Sequence, residues 1–121
     1  MAHILIIDDE KQIRMLLRNL LEREGYRISD AGDGLAALNC QQKDPADLII
    51  TDIYMPEKEG LETIAEFRRL FPEVKIIAIS GGDKTGKTDF LQVAASFGAH
   101  ATLPKPFDLQ AIVRIVKDLL S

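Results

Sequence analysis

The sequence predicts an α/β fold: a doubly wound, five-stranded parallel sheet with helices on both faces. Short apolar runs alternate with helical apolar periodicities five times along the chain, and strands separated by helix-length segments pair in parallel through crossovers. One run, Val74 to Ile79, is almost continuously apolar, as in a strand buried on both faces. Three runs end in charged residues: Ile4 to Ile7 in Asp8, Asp9 and Glu10, Leu48 to Ile50 in Thr51 and Asp52, and Ala101 to Leu103 in Pro104 and Lys105. In open α/β sheets ligands sit at the carboxyl ends of the strands.

Ile4 to Ile7 is the first strand. Ile13, Leu16, Leu17, Leu20 and Leu21 then recur at helical spacing from Glu10 to about Glu24, and Gly25 is the stop signal. Tyr26 to Ala31 makes a second strand. Gly32, Asp33 and Gly34 are turn chemistry, and Leu35 to about Lys43 is a short second helix, with Cys40 expected as a small core or boundary residue. Pro45 breaks the chain before Asp47, and Leu48 to Thr51 is strand three.

A loop through Tyr54, Met55, Pro56 and Gly60 leads into a helix expected to carry Leu61, Ile64, Ala65, Phe67 and Leu70 inward, ended by Pro72. Val74 to Ile79 is the fourth strand, followed by Ser80, Gly81 and Gly82. A helix from about Thr88 to Phe97 presents Leu91, Ala94 and Ala95 and closes at Gly98. The fifth strand lies near Ala101 to Leu103. Asp108 N-caps a last helix whose apolar stripe is Ile112, Val113, Ile115, Val116 and Leu119.

With 121 residues and no linker or repeat, the expectation is one domain over residues 1–121. A net charge of −4 and the absence of a Lys/Arg block argue against direct binding to nucleic acid or to a membrane surface, so proteins are the expected partners. No apolar run approaches the roughly 20 residues of a membrane helix, and the first residues lack a basic, signal-like stretch. The expected location is the cytoplasm. A single cysteine cannot form an internal disulfide, and neither His3 nor His100 has a second ligand at metal spacing.

The strand ends carry the chemistry. Asp8, Asp9 and Asp52 would converge there, and like charges a few ångströms apart are costly unless a cation sits among them. A hard divalent cation answers that need.

These residues resemble a response-regulator receiver domain of the chemotaxis-regulator (CheY-like, flavodoxin-like) type over the whole chain. The resemblance rests on five features in order: Asp8 and Asp9 after the first strand, Asp52 after the third, the Met55, Pro56 and Gly60 loop, Ser80 after the fourth strand, and Lys105, Pro106 and Phe107 after the fifth. It implies strand order 2-1-3-4-5, with Asp52 as the phosphoacceptor. It also implies Mg²⁺ held by Asp9, Asp52, the backbone carbonyl of Tyr54 and a water-mediated Asp8. Lys105 would face the phosphoryl oxygens, Ser80 would bond the new phosphoryl group, and Pro106 would be the family's cis proline aiming the lysine.

The implied function is phosphorelay signalling. A sensor histidine kinase or phosphotransfer protein gives its phosphoryl group to Asp52, and the switched surface engages a downstream protein or fused effector domain. The chain would not be an enzyme on other substrates, although it assists its own phosphorylation and autodephosphorylation. Three positions depart from or tune the pattern. Thr102 stands where the family commonly has an aromatic switch residue, and Tyr54 and Gly82 occupy rim positions expected to set the phosphate lifetime. An alternative reading, a small nucleotide-binding protein, comes from Gly81 to Thr88, which match GxxxxGK[ST].

Overall fold

The apolar runs become five parallel strands in the order β2-β1-β3-β4-β5. They are β1 (His3–Ile7), β2 (Arg27–Ala31), β3 (Leu48–Asp52), β4 (Lys75–Ser80) and β5 (Ala101–Pro104). The helices between and after them are α1 (Lys11–Arg23), α2 (Gly34–Lys43), α3 (Glu59–Leu70), α4 (Phe90–Phe97) and α5 (Leu109–Leu120). The computed structural model describes residues 1–53, 59–80, 90–104 and 107–121. Tyr54, Met55, Pro56, Lys105, Pro106 and the whole Gly81 to Thr88 motif, Gly82 included, therefore lie outside the described residues.

Strand alternation sorts the core into two layers. Ile4 and Ile6 of β1, with Leu48, Ile50, Ile77 and Ile79, pack against Leu17 and Leu21 of α1 and Ile112 and Val116 of α5. Leu5 and Ile7, with Ile49, Ile76 and Ala78, face the other way, onto Ala37 of α2, Ile64 and Phe67 of α3 and Ala94 of α4. β1 and β3 are buried at every position, whereas the edge strand β2 carries Arg27, Ser29 and Asp30. Cys40 packs at the margin of the second layer, as expected of a boundary residue. Among the described residues no helix is long and apolar enough to cross a membrane.

Helix ends follow local chemistry. Asp33 and Asp108 cap α2 and α5 by accepting the N–H groups of Ala36 at 2.8 Å and Gln110 at 2.9 Å. Gly25 (φ 93°) closes α1: its own N–H reaches Glu22 O at 3.0 Å and that of Tyr26 reaches Leu21 O at 3.2 Å. This pairing satisfies the last carbonyls and needs a left-handed residue; α4 ends at Gly98 in the same way.

Some apolar residues face differently from the sequence expectation. Ala65, Leu70 and Ala95 are exposed, and so are Leu16 and Leu35. In α3 the inward positions are Gly60, Thr63, Ile64 and Phe67, an i, i+3, i+4, i+7 series that starts one residue before Leu61 and leaves Ala65 and Leu70 on the outer face. Leu91 lies where side chains are outside the described set.

Both histidines are structural. His3 is buried, with Nε2 2.7 Å from Ser29 Oγ and Nδ1 3.0 Å from Pro45 O. His100 continues the β4–β5 ladder: its N–H donates to Ile76 O at 2.7 Å, and its Nδ1 accepts the Ile76 N–H at 3.0 Å. Burial pushes the His100 imidazole below its ordinary value of 6.5, and the charges of Arg68 and Lys75 push the same way. In the folded state His100 therefore takes up a proton less readily than in the unfolded chain. Its contribution is complete above the unfolded value and is lost as pH falls below it. Urea midpoints should therefore drop between about pH 7.5 and about pH 5.5. In His100→Asn, which keeps an acceptor near Ile76 but cannot titrate, the drop should be smaller; an equal drop would exclude His100 as its source.

Candidate functional site

Register brings the carboxyl ends of the strands together. Ile7 pairs with Thr51, Thr51 with Ala78, Asp52 with Ile79, and Ser80 with Pro104. The residues that leave β1, β3, β4 and β5 are consequently neighbours along one edge. From β1 the chain turns through α1 to β2, and from β3 it turns through α3 to β4 on the opposite side. The crevice between those two turns is the switch point at which this architecture binds ligands.

Asp8 and Asp52, at the ends of β1 and β3 beside that crevice, are buried, 3% and 5% exposed. The backbone around them is held by the extended ladder. Asp8 N–H donates to Ala31 O at 3.1 Å, and Ile53 N–H donates to Ile79 O at 2.9 Å. Asp8 Oδ1 accepts the Glu10 N–H at 2.8 Å, which folds the acidic loop back on itself. Ser80, at 9% exposed, closes the far side at the end of β4.

A second constraint comes from Gly60, in the first turn of α3. A Cβ there would lie 2.5 Å from the Asp52 carbonyl oxygen and 2.7 Å from the Ile53 carbonyl carbon, and closer still to the Ile53 Cα. The start of α3 therefore rests directly on the backbone that carries Asp52. Gly60 was legible in the sequence as part of a motif; this close approach is its physical reason.

Asp8, Asp9 and Glu10 each offer a carboxylate oxygen, and these atoms lie within 4.8 Å of one another. The donor set is all oxygen, with one member buried and two exposed. This chemistry fits a hard divalent cation that keeps part of its water shell. Relative to the expected set, Glu10 is added and Asp52 lies outside this group; the only sequence signal for Glu10 is adjacency to the acid pair.

Asp8, Asp9, Asp52 and Ser80 thus all stand at this edge. Thr102 lies on β5 opposite Ala78, partly buried, with no ring to rotate. Tyr54, Gly82, Lys105 and Pro106, each expected at the site or its rim, fall outside the described residues.

Comparison with known proteins agrees with this geometry. The profile of the response regulator receiver domain matches residues 4–117. The chain is 32% identical over 117 residues to sporulation initiation phosphotransferase F of Bacillus subtilis, covering 97% of this chain and 92% of that protein. It is 36% identical over 121 residues to the DNA-binding transcriptional regulator NtrC of Azospirillum brasilense, covering 99% of this chain but only 24% of that regulator. The crystal structure of the response regulator protein TrrA from Thermotoga maritima, in complex with Mg(2+)-BeF, superposes with a TM-score of 0.83 at 34% identity, covering 98% of this chain and 99% of that one. The nucleotide-binding alternative gains no support, because Gly81 to Thr88 fall inside the matched span. That span begins within β1 and ends within α5, so the likeness is to the whole architecture: the chain belongs to the response regulator receiver domain family of two-component signal transduction.

Proposed function

We propose that this receiver takes a phosphoryl group on Asp52 from the phosphohistidine of a partner kinase or phosphotransfer protein, and that the modification changes its protein-binding surface. The observation that carries the reading is the buried Asp52 carboxylate at the end of β3, one strand from the acidic loop of β1. An Asp52 carboxylate oxygen forms a bond to phosphorus as the phosphorus–nitrogen bond of the donor breaks, and the donor imidazole departs with the bonding pair. Bound Mg²⁺ would neutralise the acids and the phosphoryl oxygens during transfer. Asp8, Asp9, Asp52 and the Tyr54 carbonyl are the groups proposed to hold it, with Glu10 close enough to add a carboxylate.

Lys105 is proposed to pair with the phosphoryl oxygens. The Ser80 hydroxyl, at the end of β4, is proposed to donate to one of them and to draw the following segment inward. With threonine at position 102, the surface of α4, β5 and α5 is remodelled by backbone shifts or other side chains, and Gly82 and Tyr54 tune how long the phosphate lasts. Loss of the phosphate, assisted by the same groups, resets the switch. The chain is proposed to work as one domain in the cytoplasm, receiving from a sensor histidine kinase and acting on a downstream protein or a fused effector. Direct contact with nucleic acid or membrane is not part of this reading.

The test is incubation with a small phosphodonor and Mg²⁺, read by intact mass and peptide mapping. One phosphoryl group should appear on the peptide containing Asp52, and chelation should prevent it. Amide shifts on adding beryllofluoride should spread into α4 and β5 in the wild type and stay local in Ser80→Ala. Modification that ignores chelator, or a full wild-type pattern in Ser80→Ala, would overturn the corresponding part of the scheme.

A further inference from the structure

Arg14, on α1, reaches across to the acidic loop. Its Nη1 donates to the backbone carbonyl of Asp8 at 2.6 Å, and its Nε donates to Asp30 Oδ2 at 3.3 Å. Asp30 sits on β2 opposite Ile6. Its other oxygen accepts from Arg18 Nη2 at 3.3 Å, and Arg18 Nη1 in turn donates to Ile28 O at 3.0 Å. The Arg14 side chain is only 18% exposed and runs beside Gly32, where an added Cβ would lie 3.5 Å from Nη1.

The bonded carbonyl belongs to the residue at which the chain leaves β1. Asp8 is held on its N–H by Ala31 and on its carboxylate by the Glu10 N–H; Arg14 fixes the remaining backbone group. We infer that Arg14 is a positioning residue, clamping the Asp8 carbonyl to α1 and β2 so that the Asp8 and Asp9 carboxylates stay gathered for a divalent cation. The inference rests on the reading that this acidic loop binds Mg²⁺.

Charge and geometry predict opposite outcomes. Arg14 is a cation beside a cation site, so by electrostatics alone its removal tightens metal binding. Loss of positioning loosens it, and outer residues that orient ligands are typically worth about 10- to 100-fold in metal affinity. Asp30 offsets much of the arginine's charge, so positioning dominates.

The experiment is calorimetric Mg²⁺ titration of the full chain as wild type, Arg14→Met, Arg14→Lys and Arg18→Met. Arg14→Met should weaken Mg²⁺ binding by about tenfold or more, and Arg14→Lys should recover part of that loss. Arg18→Met removes the other partner of Asp30 without touching Asp8, so it reports any general loosening of α1. Its affinity should stay within about twofold of wild type. A second readout needs no metal: exchange of the Glu10 amide, which is bonded to Asp8 Oδ1, should be faster in Arg14→Met than in wild type. Unchanged or tighter Mg²⁺ binding in Arg14→Met, or an equal loss in Arg18→Met, overturns the inference. If wild type itself binds no Mg²⁺, the metal reading fails, and unchanged Glu10 exchange would then reject the clamp separately.

Discussion

Asp52→Asn should fold and take up no phosphoryl group under conditions that modify the wild type completely. The amide is close to isosteric with the carboxylate, so the end of β3 and its pairing with Ile79 should persist. What is lost is the anionic oxygen that must attack phosphorus. The same change removes one acid from the group proposed to hold Mg²⁺, which gives an independent readout. At a Mg²⁺ concentration of about 100 times its dissociation constant, binding stabilises the wild type by about 2.7 kcal/mol. A tenfold loss of affinity reduces that gain to about 1.4 kcal/mol, a difference that thermal unfolding with and without Mg²⁺ resolves. Phosphoryl uptake by Asp52→Asn would show that another carboxylate is the acceptor, with Asp8 the other buried carboxylate among the described residues. An undiminished Mg²⁺ effect would remove Asp52 from the metal site while leaving its acceptor role standing.

Much of this site was legible because strand ends carry information that survives without coordinates. Ile4 to Ile7 and Leu48 to Ile50 can be buried only as central strands, which forces Asp8 and Asp52 to the same edge. The edge position of β2 was not legible: Arg27, Ser29 and Asp30 suit an exposed edge, but Ser29 and Asp30 are adjacent and break a regular alternation. Orientation on the helices was harder. Ala65 and Ala95 are small enough to sit on either face at little cost, and Leu70 lies in the last turn of α3, where the outer face is half-covered at best. Polar clamps were invisible. Arg14 and Asp30 are 16 positions apart, and neither carries a local pattern that announces the other. The His100 bond to Ile76 is hidden for the same reason: it depends on which strand lies beside which.

Gly60→Ala should destabilise the protein and, in the molecules that remain folded, slow phosphorylation of Asp52. In a helix the substitution is intrinsically favourable by about 1 kcal/mol. Against that stands a Cβ 2.5 Å from the Asp52 carbonyl oxygen and equally crowded by the adjoining Ile53 backbone. These are main-chain atoms that cannot rotate away. Relief requires α3 or the end of β3 to move, and overpacking of this kind costs about 1–3 kcal/mol, occasionally more. With rigid backbone as the obstacle the upper end applies, so the net loss should be about 2 kcal/mol. Because the obstacle is the peptide of Asp52 itself, the displacement passes directly to the acceptor; a misplacement of about 1 Å can cost about 100-fold in rate. Gly25→Ala is the control. Its site has no heavy atom within 4 Å of the added Cβ, but its φ of 93° is left-handed, so it should lose about 1–2 kcal/mol of stability with phosphorylation unchanged. Urea unfolding and phosphoryl uptake measured well below the transition separate the two effects. If Gly60→Ala is modified as fast as Gly25→Ala, the packing of α3 on the backbone of Asp52 does not position the acceptor.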